Sequence, residues 1–542
     1  MLCTRSRTGV VRGLILISTL ALALRAGFAQ APELRGMWAS RFDWPDPDPN
    51  TCKATIDQIM SDLAGANFNA VFFQVRGQAD VFYPSPYEGW SPLIGGHSPG
   101  FDPLAYAINA AHAHGIEFHA YINTHTCWQS DPPEAMTLPA DPNHILYKHC
   151  RASNPNKRDW LFWSSASNPA QFNESNYVWF APGVPAYQAY IRQQVLYVVQ
   201  NYNVDGVHFD RIRTPGSTLL SWDPISLARY QSSWTNPSYL DFDDWTTDQI
   251  TRTVRDIYAA IMAVKPHVKV SAAVFPNFGG AAGSQHQDAI AWAQGGTLDM
   301  AVPMMYTAGG AGSAWDFQLQ DWLSHTAGLD TQVVAGHSAG QGAASLLEQV
   351  ALTRLRGAAG NSVFSWSSFP YWSDYLSNVY QVPVSRPAMA WKDDPEVGVI
   401  YGYVKDPNGT PVLDARVCAT GQSGLALSGS DGFYSFVHLT PRTYTITAAH
   451  AGYADISAPS VPLAAGQVRR CDLTFIAAPP PTGDFNHDGH VDSGDVFPFL
   501  SCLAGPDYGY AGMHLCRTGD ADYDTDVDLA DAAAFQRTFG SQ

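Results

Sequence analysis

The chain has 542 residues, 46% of them hydrophobic, with 16 Trp and 25 Tyr. That length exceeds one ordinary domain and allows several cores. A formal net charge of −18 excludes a general affinity for nucleic acid.

Residues 1–29 read as a cleaved signal peptide. Arg5, Arg7 and Arg12 precede an apolar run from Gly13 to Leu24, and small residues lead to cleavage after Ala29. No other stretch is long and apolar enough for a membrane span, so the mature chain is expected to be secreted or held at the cell surface. Export permits disulfides. Cys127 with Cys150, Cys418 with Cys471 and Cys502 with Cys516 are candidate pairs, leaving Cys52 as a buried thiol.

Residues 30–390 alternate short apolar runs with helical patterns, the signature of a parallel sheet wrapped by helices. The expected strands are Gly36–Ser40, Ala70–Arg76, Glu117–Asn123, Gly206–Asp210, Val268–Val274, Met300–Tyr306, Gln332–Gly336 and Ser362–Ser367. Helical patterns such as Thr55–Ala66, Asp102–His114, Val184–Asn201, Thr246–Lys265 and Ala344–Gly357 fall between them. Eight such units predict an α/β fold, a (β/α)8 TIM barrel.

In such barrels, functional residues lie at the C-terminal ends of strands. There stand Gln74 and Arg76, two apart and so expected on one face. Likewise His119, Tyr121 and Asn123 end the third strand, His208 and Asp210 the fourth, Tyr306 the sixth and Trp366 the eighth. Asp210 is followed by Arg211 and Arg213, which are expected to flank it and favour its ionised form. Asp205, about 16 Å upstream and facing the other way, is too far to be its catalytic partner.

Arg35-Gly36-Met37-Trp38, Phe73-Gln74-Val75-Arg76 with Asp80 and Tyr83-Pro84-Ser85, Pro182-Gly183-Val184-Pro185 and Asp205-Gly206-Val207-His208-Phe209-Asp210 occur in that order. Together, from about Glu33 to Phe369, they resemble the glycosyl hydrolase-like 10 family. The resemblance implies a TIM barrel, export and an O-glycoside in a polysaccharide or peptidoglycan-type glycan. There are two departures from the family pattern: Thr124-His125-Thr126 follow Asn123, where Pro and Arg are common, and Arg211 stands where a second acid is common.

Glycoside hydrolysis usually needs one ionised carboxyl and one proton donor. Asp210 suits the first part. Among the loop acids Asp80, Glu174 and Asp316, the expected partner is Asp80, from the family motif; the alternative is that it pairs with Arg76 or caps a turn. Asp299 opens the sixth strand and belongs at the bottom. Asp205 to Ile212 also lies over the family 18 chitinase pattern DGxDxDxE, with Ile212 in place of the acid. Gln74, Arg76, His119, Tyr121, Asn123, His208, Arg211, Tyr306 and Trp366 are the expected glycan contacts. A mononuclear metal at His119, His208, His337 and Asp210 is a further alternative, but no cofactor is expected in the barrel. A glycan-binding barrel without catalysis is the remaining one.

Residues 395–476 switch to short alternating strands, a small β-sandwich. Asp431-Gly432-Phe433-Tyr434 and Pro441-Arg442-Thr443-Tyr444 resemble the carboxypeptidase regulatory-like domain. A Pro-rich linker, 477–482, follows. Residues 483–542 carry two calcium-loop patterns. The first places Asp484, Asn486, Asp488, the His490 carbonyl, Asp492 and Asp495 around a sharp turn at Gly489; the second places Asp520, Asp522, Asp524, Asp526, Asp528 and Asp531, with Thr525 in the turn position. The duplication resembles a small helical dockerin type I module, which implies Ca2+-dependent folding and a cohesin-like partner.

Overall fold

The structure, a computed structural model, describes residues 31–129, 138–166, 177–216, 220–422, 424–451, 453–477, 483, 485, 491–503, 516–521 and 525–538. The signal segment, Glu174, residues 478–482 of the linker and Asp484, Asn486, Asp488, His490, Asp522 and Asp524 lie outside them.

Among the described residues up to 364 there are ten strands: β1 (Leu34–Ala39), β2 (Ala70–Arg76), β3 (Glu117–Asn123), β4 (Thr126–Gln129), β5 (Tyr177–Trp179), β6 (Gly206–Asp210), β7 (Lys269–Val274), β8 (Met300–Pro303), β9 (Gln332–Ser338) and β10 (Gly360–Phe364). Eight close a parallel barrel in the order β1-β10-β9-β8-β7-β6-β3-β2. β1, β2 and β3 are buried at every position, as strands covered by side chains on one face and helices on the other must be. β4 and β5 form a separate antiparallel pair above β3, which the sequence pattern does not announce.

Three of the described helices begin where an aspartate precedes a proline. Asp48, Asp102 and Asp223 accept backbone N–H groups of the first turns of Pro49–Gly65, Pro103–Ala113 and Pro224–Gln231. Proline gives up no helical hydrogen bond there, and the carboxylate covers a bare donor. The largest apolar cluster fills the layer between strands and helices. A smaller one fills the barrel lumen, around Trp38, Phe72, Tyr121, Met300 and Val302.

The barrel's lower end is stopped by the chain that leaves it. Met389 and Trp391 join the luminal cluster. Asp299 accepts from Trp391 Nε1 at 2.8 Å and pairs with Lys392 Nζ at 2.9 Å, at the bottom as its place before β8 requires.

The β-sandwich that follows has one sheet built on Gly398–Lys405 and Phe433–Leu439 and another on Arg416–Ala419, Arg442–Ala449 and Ile456–Leu463. It is no loose spacer, because it packs on the barrel's outer helices. Arg229 forks onto Asp414 at 2.6 and 3.2 Å. Arg192 pairs with Asp431 and lies 4.1 Å over the Phe433 ring. Arg416 stacks 4.1 Å over Trp234, and Ser435 Oγ donates to Asp256 at 2.6 Å. Phe433 and Val399 belong to the barrel's own apolar cluster.

Of the expected disulfides, Cys502–Cys516 is formed. Cys127 and Cys150 are buried thiols that hydrogen-bond each other, and Cys418 and Cys471 are also unbonded. Cys52 is the expected buried thiol. No helix among the described residues is long and apolar enough to cross a membrane.

Candidate active site

Trp38 closes the lumen from below. Its ring touches Phe72, Tyr121, His208 and Phe364, with centroids 5.5, 5.3, 4.6 and 5.7 Å away. Above this aromatic floor Asp210 ends β6, partly exposed. Its Oδ2 accepts from the Tyr121 hydroxyl at 2.7 Å and its Oδ1 from the Arg211 N–H at 2.6 Å. Burial, and then the Asp210 charge, push the Tyr121 phenol far above its ordinary pKa, so Tyr121 is a fixed proton donor to the carboxylate. The Asp210 backbone is held as well, because Thr124 N and Oγ1 both donate to its carbonyl at 2.9 Å. The Thr124-His125 departure from the family pattern thus extends the β3–β6 ladder.

Tyr306, 38% exposed, stacks on Phe364 at 6.0 Å on the far rim. Asn123 faces Asp210 across the ladder, and its buried Oδ1 accepts no hydrogen bond. Asp210, Tyr121, Asn123 and Tyr306 therefore converge on one partly open mouth, with an anionic acceptor, a phenol and an amide above an aromatic floor.

Several expected contacts lie elsewhere. A bulge in β2 opposes Gln74 to Tyr121 but Arg76 to Ile122. One inserted residue turns the strand over. Arg76 therefore leaves the lumen and is fully buried in a bidentate pair with Glu88 at 2.6 and 2.8 Å. Gln74 stays near the mouth as a brace, its Oε1 accepting from Arg41 N at 2.8 Å. His119 lies low in the lumen, 3.3 Å from Glu117. A Cβ on Gly206 would stand 2.1 Å from its Nδ1, which is why a glycine opens β6. His208 is sealed under Trp38 and Phe72 with Nδ1 on Ser271 Oγ at 2.8 Å. Burial, then His119, hold it far below its ordinary pKa and so neutral. Trp366 points out to Asp62, its Nε1 3.1 Å from Oδ2.

The arginines after Asp210 do not bracket it. Arg211 takes a left-handed backbone, φ 52°, and lays its guanidinium 4.1 Å over the Tyr177 ring. Arg213 lies 5.2 Å over Trp179 and 5.1 Å over Phe275. Neither forms an ion pair with Asp210. Together with β5 they build one wall of the mouth. Arg41, which the strand-end reading passed over, joins that wall by donating to Tyr177 Oη at 2.6 Å and Gln129 Oε1 at 3.0 Å. Extending the same reading two residues past β1 would have found it.

Asp80 is buried, and its Oδ1 accepts from Gln78 N at 2.8 Å, closing the turn after β2. Asp316 is bound by Arg356 at 2.9 and 2.8 Å. The three histidines weighed as metal ligands do not converge. His337 faces the helical layer, between Gln349 and Asn361 at 2.8 and 2.9 Å and under Trp315. In the barrel base, burial raises the pKa of Glu117. Hydrogen bonds and charges from His119 and Lys269 outweigh it and hold the group at about 2; Arg386 Nε adds a contact at 2.5 Å.

The C-terminal repeats share their wiring. Asp495 accepts from Phe485 N and Asp492 N at 2.6 and 2.9 Å, and Asp531 accepts from Ala521 N and Asp528 N at 2.5 and 2.8 Å. Carboxylate oxygens of Asp526, Asp528 and Asp531 lie within 4.8 Å of one another, an all-oxygen set that suits a hard divalent cation.

Comparison with known proteins gives these geometries a context. The glycosyl hydrolase-like 10 family profile matches residues 33–341, and the carboxypeptidase regulatory-like domain matches 399–475. "Glycosyl hydrolase YngK" of Bacillus subtilis is 29% identical over 318 residues, 54% of this chain and 58% of its own length. "Glycosyl hydrolase DigH" of Escherichia coli K12 is 26% identical over 364 residues, 56% of this chain and 77% of its own. This chain therefore spans little more than half of the first relative. Among solved structures, the PgaB (BpsB) glycoside hydrolase domain from Bordetella bronchiseptica aligns with a TM-score of 0.47 at 16% identity, over 66% of this chain and 100% of that one.

Proposed function

The chain belongs to the glycosyl hydrolase-like 10 family, and from that premise we propose that its barrel hydrolyses O-glycosidic bonds in a polysaccharide or peptidoglycan-type glycan, with Asp210 at the reacting carbon. The observation that carries this reading is the setting of Asp210. It is a carboxylate at the barrel mouth, both its oxygens are hydrogen-bond acceptors, the Tyr121 hydroxyl is one of its donors, and Tyr306 stacks on Phe364 across the rim. Aromatic faces receive the apolar faces of sugar rings. A carboxylate fixed by Tyr121 and a backbone N–H is preorganised to oppose the positive charge of an oxocarbenium-like transition state. Asp210 thus acts as nucleophile, base or cation stabiliser. Asn123 faces Asp210 across the β3–β6 ladder, and its buried Oδ1, without a donor of its own, becomes an acceptor for a sugar hydroxyl only if the side chain turns outward on binding.

The proton donor is assigned to Asp80, which must first leave its hydrogen bond to Gln78 N. That existing bond favours a second reading, in which the barrel holds a glycan without cleaving it. Asp210→Asn in the full chain separates the two. Release of reducing ends from a panel of soluble and insoluble glycans should fall by at least about 1,000-fold with binding retained. Turnover equal to wild type removes Asp210 from the reaction, and glycan binding without turnover by the wild type selects the second reading.

The basic and apolar N-terminal segment supports export to the medium or cell surface. The paired loops support Ca2+ held by Asp492 and Asp495 with Asp484, Asn486, Asp488 and the His490 carbonyl, and by Asp520, Asp526, Asp528 and Asp531 with Asp522 and Asp524. Bound Ca2+ would neutralise and crosslink carboxylates that otherwise repel. A cohesin-like protein is the proposed partner of this tail.

A further inference from the structure

The barrel and the β-sandwich enclose a groove of about 480 Å3 on the outer flank, between helix Pro185–Asn201, the loop around Tyr87, and Tyr403 and Asp431 of the sandwich. The helix supplies a floor of Ala186 and Ala189 and, farther down, the exposed amides of Gln193 and Gln200. The two glutamines are seven residues apart, which puts them on one face about 10 Å from each other. Tyr87, 42% exposed, stands edge-on to Tyr197, with centroids 5.7 Å apart. Tyr197 is itself fixed by a 2.8 Å hydrogen bond from its hydroxyl to the Pro84 carbonyl and by stacking on Tyr83.

The electrostatics of the groove are neutral. Its cation, Arg192, is paired with its anion, Asp431. No phosphate or carboxylate ligand would find an unengaged countercharge here. What the groove offers is ring surface on its walls and amides that both donate and accept on its floor. That set matches a neutral, hydroxyl-rich ligand with apolar ring faces. At its upper end the groove reaches Trp160, whose carbonyl accepts from Ala181 N at 2.8 Å. Ala181 lies two residues beyond β5, the strand that carries the mouth wall. That bond ties the end of the groove to the segment that carries the mouth wall.

We propose that this groove is a second binding site for an uncharged segment of the glycan chain, built jointly by barrel and sandwich. It holds a stretch of polymer on the flank while another stretch lies in the mouth. The choice of ligand rests on the glycan reading of the barrel, but the site itself does not depend on catalysis. It also gives the rigid seating of the sandwich a use, since the groove exists only while Tyr403 and Asp431 face the helix.

The test uses the full chain with Asp210→Asn as background and titrates chitohexaose, cellohexaose and mannohexaose by calorimetry, with pull-down on insoluble chitin and cellulose. Two variants probe the groove: Gln193→Ala with Gln200→Ala, and Tyr87→Ala. All three positions are exposed, and alanine is the best helix former, so unchanged melting temperatures are expected. At least one glycan should lose roughly tenfold in affinity in each variant. With Asp210 intact, turnover of short soluble substrates should stay within about twofold of wild type, while turnover of insoluble polymer falls. Equal affinity of the groove variants for every glycan overturns the proposal, and so does binding of none of them by the parent. Groove-dependent binding by a chain that cleaves nothing would overturn the hydrolase reading and leave the groove standing.

Discussion

Glu117 in the barrel base offers a prediction whose size follows from the structure. Its side chain is 4% exposed beside Lys269 and touches His119, Lys269 and Arg386. Those partners hold it at about 2 against an ordinary 4.5, despite burial. That depression is worth about 3 kcal/mol of stability. Because the folded value is the lower one, the contribution is fully present above pH 4.5 and is lost as pH falls towards 2. Glu117→Gln keeps the shape and removes the charge. It should therefore cost about 3 kcal/mol at pH 7 and much less near pH 2.5. Urea unfolding of variant and wild type at both pH values gives the difference directly, since titrating groups that do not touch Glu117 cancel between the two proteins. A variant as stable as wild type at pH 7, or a penalty that does not shrink on acidification, would refute the reasoning.

Tyr121→Phe removes one hydrogen bond to Asp210 while Trp38 and His208 keep the ring in place. A hydrogen bond to a charged group is worth about 1.5–3 kcal/mol, so kcat/KM on a cleaved glycan should drop roughly 10- to 100-fold with little change in melting temperature. Wild-type kinetics in this variant would take Tyr121 out of the site. In the tail, Thr525 holds φ 80°, a conformation costly for a β-branched residue. Thr525→Gly should stabilise the tail by about 0.5–1 kcal/mol and tighten Ca2+ binding; a titration followed by circular dichroism that shows equal or weaker binding contradicts this.

The barrel was legible because its strands are short apolar runs between helical patterns, and that signal survives without any knowledge of contacts. β2, β3 and β6 fall where the periodicity puts them. Helix starts were less legible: Pro49–Gly65 and Phe242–Val264 begin before their apolar stripes, at aspartate caps that carry no hydrophobic signal. The mouth was legible in part. Strict alternation places Tyr121 and Asp210 on one face, and they do meet. The same rule fails at Arg76, because a bulge depends on pairing with β3 and not on β2 alone. It also cannot rank depth, so His119 and His208, on the luminal face as expected, lie too low to meet a ligand. Trp366 is lost for another reason: β10 ends at Phe364, and beyond it the chain turns outward. The seating of the sandwich depends on arginines at 192, 229 and 252 that, within their own helices, look like ordinary surface charges.

Trp391 and Lys392 fasten the departing chain across the end of the barrel opposite Asp210. The chain therefore leaves the barrel at its blunt pole, and the sandwich then lies back along the flank. The plug and the walls around Asp210 are thus built from separate stretches of chain, so the base can be refastened without rebuilding the rim.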